Sequence, residues 1–251
     1  MSSRAIPSRC GSWLDTIGCV ISRVLVASIA ASCALPAAAL VIRPDRDDSE
    51  YLELATHYAS AIAFPAPGGE GVLVAPRWVL TTGTRARNLQ AAKGVALPIA
   101  GRRHEIEAFF FHPDAKLDAA LLYLREPVRG VEPARLYRGT DEAGDAVAVL
   151  GHAGGRKRAG INTVDRVTPT SIGLRIKPPA EASDLQAAAT REETGAPAFI
   201  GAAGGRAVAG ILQSIDGEWQ NYVRASAIVD WLESTLLEAA KKEAEALLGA
   251  N

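Results

Sequence analysis

Between Val72 and Val223 the chain is a succession of short apolar segments: 72–74, 78–82, 105–112, 119–124, 146–150, 161–167, 172–176, 197–200, 206–212 and 219–223. Clusters of Gly, Pro, Asp and Asn separate them. Short strands with turn signals at this spacing predict a β-sandwich or barrel. Segment 119–124 is almost continuously apolar, as expected of a strand buried on both faces. The last stretch differs. From Ser226 no Gly or Pro occurs until Gly249, and Ile228, Leu232, Leu236 and Ala239 recur at helical spacing, with Leu237 widening the stripe. A C-terminal helix over 226–251 is predicted, with Ser226 as its N-cap and Glu238–Lys242 as a favourably oriented i,i+4 pair. The polar stretch 43–50 reads as an extended arm or loop.

The N-terminus carries a different signal. Arg4, Arg9 and Arg23 precede or flank an apolar run from Val24 to Leu35, and Ala37-Ala38-Ala39 has the small-residue pattern of a signal-peptidase site. Residues 1–39 read as a secretory signal, so export to the periplasm or the medium is expected, with no membrane association once the signal is removed. The competing readings are a membrane anchor or a lipidated Cys33. Cleavage leaves 212 of 251 residues, 40–225 forming a domain and 226–251 the helix on it. This is enough chain to bury a substantial core. The three cysteines, Cys10, Cys19 and Cys33, all fall in the signal. The mature chain therefore holds no disulfide, cysteine nucleophile or cysteine-ligated metal. Its charge of −3 gives no reason to expect nucleic acid as a partner.

Three segments carry the chemistry: Ala75-Pro76-Arg77-Trp78-Val79-Leu80-Thr81-Thr82-Gly83-Thr84, then Leu117-Asp118-Ala119-Ala120-Leu121-Leu122-Tyr123-Leu124, then Glu192-Glu193-Thr194-Gly195-Ala196-Pro197-Ala198-Phe199. In this order they resemble the triad motifs of trypsin-like serine proteases of the peptidase S1 family, which read roughly PRWVLTAAH, DIALLRL and GDSGGPAF. Ala209 to Leu212 resembles the family's strand after the serine, and Tyr222 to Trp231 resembles its entry into the terminal helix. The resemblance spans about Val72 to Leu232. It implies an all-β fold, a trypsin-like double six-stranded β-barrel with a C-terminal α-helix, and its cysteine-poor character resembles bacterial members.

Two of the three triad positions depart from the family. Thr84 stands at the histidine, Asp118 at the aspartate and Thr194 at the serine. Acyl transfer by an alcohol needs an imidazole to take its proton, a carboxylate to orient that imidazole, and backbone N–H groups to bind the oxyanion. A threonine hydroxyl accepts no proton near neutral pH, so Thr84 is no base. Glu192 replaces the glycine of the oxyanion segment, adding a Cβ and a negative charge where negative charge must develop. Glu193 stands where the family has an aspartate that pairs with a freed N-terminus, which makes Leu40 its candidate partner after signal cleavage. Ala188, six residues before Thr194, falls at the specificity-pocket position. It offers no acid for a basic substrate side chain and otherwise belongs to an Ala-rich loop.

The mature histidines are His57, His104, His112 and His152, each expected to be structural. The glycines of 151–160, a segment read as a loop, lack the Gly-Lys-Ser/Thr of a phosphate loop. Arg156-Lys157-Arg158 reads as a solvated basic turn. No metal-ligand spacing and no cofactor motif occur. The expectation is therefore a monomeric, non-catalytic homologue that binds a peptide or protein in the cleft between its barrels. The alternative is a residual hydrolase using Thr194 with a histidine from elsewhere.

Overall fold

The computed structural model describes residues 40–153, 155–202 and 205–249. The expected export signal, with its three cysteines, lies outside the described residues. The chain opens on β1 (Val41–Ile42) and α1 (Asp48–Ala55), then β2 (Ala61–Ala63), β3 (Glu70–Ala75), β4 (Trp78–Thr81) and α2 (Gly83–Ala92). Next come β5 (Ala96–Ile99), β6 (Arg102–Phe111), β7 (Ala120–Leu124), β8 (Arg135–Leu136), β9 (Ala146–Ala153) and β10 (Arg156–Thr163). β11 (Arg166–Val167), β12 (Ser171–Arg175), β13 (Ala187–Ala188), β14 (Pro197–Ala202), β15 (Gly205–Asp216), β16 (Trp219–Arg224) and α3 (Ala225–Gly249) complete it.

The strands form two principal sheets. The first runs β2-β3-β4-β7-β6-β5, and its end strands β2 and β5 return to within 8 Å of each other, nearly closing a barrel. The second runs β10-β9-β14-β15-β16-β12-β11, with β8 parallel to β15. Within it β10 and β12 also approach within 8 Å. β1 pairs with β13, Val41 opposite Ala188.

Alternation explains the buried apolar runs. In β7, Ala120, Leu122 and Leu124 fill the first sheet's interior with Leu73 and Leu97, while Leu121 faces a second cluster with Val72, Leu150 and Phe199. In β9, Val147 and Val149 face the second sheet's interior, and Ala148 and Leu150 join the shared cluster. α3 packs on that cluster through Ile228 and Leu232. A strand buried on both faces needs this continuous apolar character.

Several local expectations are corrected. α3 starts at Ala225, whose side chain is buried, so Ser226 lies in the first turn rather than at the cap. Leu237 falls off the packed face and is 56% exposed. Segment 43–50 is not all arm: Asp47 caps α1, accepting from the Ser49 N–H at 3.0 Å, in a reciprocal capping box with Glu50. α1 buries Tyr51 and Ala55 against the sheet. Arg156, Lys157 and Arg158 open β10 instead of forming a turn: Lys157 donates to Tyr58 O at 2.9 Å, and Arg158 pairs with Asp48. The Ala-rich run is strand β13, not loop. No helix among the described residues is long and apolar enough to cross a membrane.

Candidate functional site

Thr82 ends the β4 corner and caps α2, accepting from the Arg85 N–H at 3.3 Å. Thr84 therefore lies in the first helical turn, exposed, with its N–H unpaired within the helix. Asp118, just before β7, fills that need: the Thr84 N–H donates to its Oδ1 at 2.9 Å. The carboxylate sits at a helix N-terminus, where the macrodipole favours it. A Cβ on Gly83 would stand 2.8 Å from the same oxygen, so glycine is what permits the approach. Arg87 adds a long contact at 3.8 Å. The hydrogen bond that Asp118 accepts thus comes from main chain and not from an imidazole.

Thr194 follows a 3-10 turn, Arg191–Glu193. Its hydroxyl donates to Arg191 O at 2.7 Å, and its own N–H points to the same carbonyl at 3.4 Å. The Glu193 N–H donates to Thr190 O. Of the two expected oxyanion positions, Glu192 and Thr194, the N–H of Thr194 is therefore used inside the turn. Arg85 closes the arrangement from α2: Nη2 donates to Arg191 O at 3.0 Å and reaches Glu192 O at 3.4 Å. One guanidinium ties the turn of Thr194 to the helix of Thr84. The Arg85 tie was not anticipated, although Arg85 directly follows Thr84 where the resembled family often has cysteine. Glu192 is exposed. Ala188 is buried in β13 opposite Val41.

Glu193 turns inward and is 3% exposed. Oε2 accepts from the Thr190 N–H at 2.6 Å. Oε1 is buried against Gly151 with no hydrogen-bond partner. Burial pushes the carboxyl up to about 8. The Thr190 N–H opposes that rise, the charge of Glu70 adds to it, and the N–H of Leu40 opposes it too. The Leu40 N–H thus acts on the carboxyl as a favourable donor, while Oε1 has no hydrogen-bond partner. Leu40 itself is 2% exposed.

Beside it lies a pair that no sequence signal marked. Glu70, buried at the start of β3, accepts from the His152 N–H at 2.8 Å through Oε1 and contacts His152 Nδ1 at 2.9 Å through Oε2. The Glu70 N–H donates to Thr194 O at 3.0 Å. His152 is therefore in strand β9, not a loop, and its ring is fixed by a carboxylate. The Thr194 hydroxyl is engaged by Arg191 O and not by this ring. His112 packs edge-on against Trp231 and accepts from the Asp114 N–H at 3.1 Å. His104 is buried in β6. Among the described residues no cluster of His, Cys, Asp and Glu is arranged to hold a metal.

Thr84 and Asp118 are thus in direct contact, Thr194 is linked to them through Arg85, and Ala188 stands apart with β1. No family model and no curated protein matches the chain.

Proposed function

We propose that this chain is a non-catalytic relative of the trypsin-like serine proteases, a double β-barrel exported from the cell that binds a peptide or protein between its barrels. The approach of β10 to β12 supports reading the second sheet as the second barrel. The observation that carries the functional reading is the use of Asp118 and Thr194 in structural hydrogen bonds. Asp118 holds the Thr84 N–H, and the hydroxyl and N–H of Thr194 both turn to Arg191 O. An alcohol that donates its proton to a carbonyl and is hydrogen-bonded to no imidazole is not activated for attack. A Thr194 N–H turned to Arg191 O is not offered to an oxyanion.

Leu40 and Glu193 belong to the same reading. With the chain continuous through Ala39, Leu40 offers only a peptide N–H, and Glu193 Oε1 stays unpaired. Cleavage after Ala39 would convert that N–H to an ammonium and supply a charged donor at a buried carboxylate. Extending a form that begins at Leu40 by one residue should then lower its melting temperature. An unchanged melting temperature would remove the pairing from the proposal.

The decisive experiment is reaction with a fluorophosphonate probe. The native protein should not label. A variant carrying Thr84→His, Glu192→Gly, Glu193→Asp and Thr194→Ser should label at the new serine if the scaffold is that of a protease. Labelling of native Thr194, abolished by Thr194→Ala, would overturn the non-catalytic reading and favour the residual hydrolase.

A further inference from the structure

Many arginines among the described residues are matched to a carboxylate, as Arg43 is to Asp45, Arg77 to Glu107 and Glu243, Arg125 to Glu105, Arg138 to Glu233 and Arg224 to Glu142. Three that are not lie close to one another in the fold. Arg102, Arg103 and Arg129 line a cleft of about 630 Å³ at the end of the first sheet, together with His104, Glu126 and Pro127. Among the described residues none of the three lies within ion-pair distance of an acid. With three guanidinium groups against one carboxylate, the cleft carries an excess of two positive charges on a chain that is otherwise near neutral.

The backbone beneath is preorganised. Arg102 and Arg103 pair with Ile99 and Pro98 in the β5–β6 hairpin. Its two-residue turn, Ala100-Gly101, has φ of 50° and 74° at its central positions. That is the tight primed geometry that holds two strands in fixed register. Arg129 follows Val128, which is buried and donates its N–H to Pro76 O at 2.7 Å. The charged stems thus spring from anchored main chain, so little backbone ordering is left for a ligand to induce.

We propose that this cleft is a docking site for an acidic protein segment, separate from the Thr84–Asp118–Thr194 region. Unpaired guanidinium groups in a concave wall recognise carboxylates in bidentate, charge-assisted geometry. Glu126 decides between anions. A peptide brings main-chain N–H donors that a carboxylate can accept from, whereas a phosphate or sulfate group at neutral pH brings only further negative charge. The site therefore favours a carboxylate-rich peptide over a polyphosphate or a sulfated saccharide.

The test is fluorescence anisotropy of a labelled hexaglutamate peptide with the full chain at low salt. Arg102→Glu, Arg103→Glu and Arg129→Glu together should weaken binding by at least about tenfold, the sum of three modest exposed pairs. A charge-matched control, Lys116→Glu, Lys241→Glu and Lys242→Glu, should change it by less than about twofold. The Arg→Gln triple repeats the first arm without charge reversal and guards against misfolding, which the thermal transition reports. Unlabelled hexaglutamate should compete at lower concentration than pyrophosphate or a heparin-type hexasaccharide. No binding by the full chain, an equal loss in cleft and control variants, or stronger competition by either of the other anions would overturn the proposal.

Discussion

Asp118 and Glu193 are both carboxylates wedged against a glycine, and they differ in what meets them there. Asp118, in the first sheet, lies against Gly83 and takes a helix N–H at 2.9 Å; its side chain is 15% exposed. Glu193, in the second, lies against Gly151 and leaves one buried oxygen without a partner. The first corner is closed by groups the chain already holds. The second awaits a donor. A buried polar atom left unpaired costs on the order of 1–3 kcal/mol, so the second corner is where a change in the protein's charge has most effect.

The largest expected effect follows from the elevation of Glu193 to about 8 from an ordinary 4.5. Between those values the folded chain keeps a proton that the unfolded chain has released. The stabilisation is whole below about 4.5 and is lost as pH rises through about 8. Thermal unfolding of the full chain should show stability falling across this window, by up to about 5 kcal/mol, and Glu193→Gln should flatten the curve. A form beginning at Leu40 should show the reverse slope if its ammonium pairs with Glu193, because the carboxyl is then depressed and its stabilisation grows with pH. Identical pH profiles for the two forms would erase the contrast between the corners.

Next in size is Gly151→Ala. The new methyl falls well inside contact distance of Glu193 Oε1, and β9 cannot move without disturbing its pairing with β10 and β14. A loss of about 2 kcal/mol is expected from urea unfolding, largely restored when Glu193→Ala is added. An unchanged midpoint in the single variant would mean that Glu193 does not occupy this place.

These two corners also mark what sequence reading reaches. The ten apolar segments each contain or border a strand, because alternation and turn residues are local properties. Five strands of four residues or fewer, β1, β2, β5, β8 and β13, carry no such mark, since a short strand holds little alternation of its own and can pair with distant chain, as when Val41 meets Ala188. α1 and α2 were missed because their signals are short: a capping box before Tyr51, and a threonine cap before an Arg-rich turn. At the site, the contact of Thr84 with Asp118 was implied by motif order. That it runs through main chain was not, because an exposed threonine at a helix start looks the same whatever its N–H binds. The Glu70–His152 pair joins β3 to β9 across 82 residues, and nothing in either segment announces it.

The smallest effect isolates the Asp118 corner from its own helix. Asp118→Ala removes the acceptor of the Thr84 N–H and a charge at the α2 N-terminus, for an expected loss of about 1 kcal/mol. Gly83→Ala has two opposed consequences. Alanine favours the helix by about 0.8–1 kcal/mol, while its methyl stands 2.8 Å from Asp118 Oδ1 and pushes the carboxylate off its donor. In the native background these nearly cancel. In the Asp118→Ala background the obstruction is gone, and the same substitution should stabilise by most of the helical gain. A double-mutant cycle in urea therefore reads the carboxylate's coupling to Gly83 directly. Additivity of the two changes would show that Asp118 yields freely and that this corner, like that of Glu193, is held less tightly than its hydrogen bond suggests.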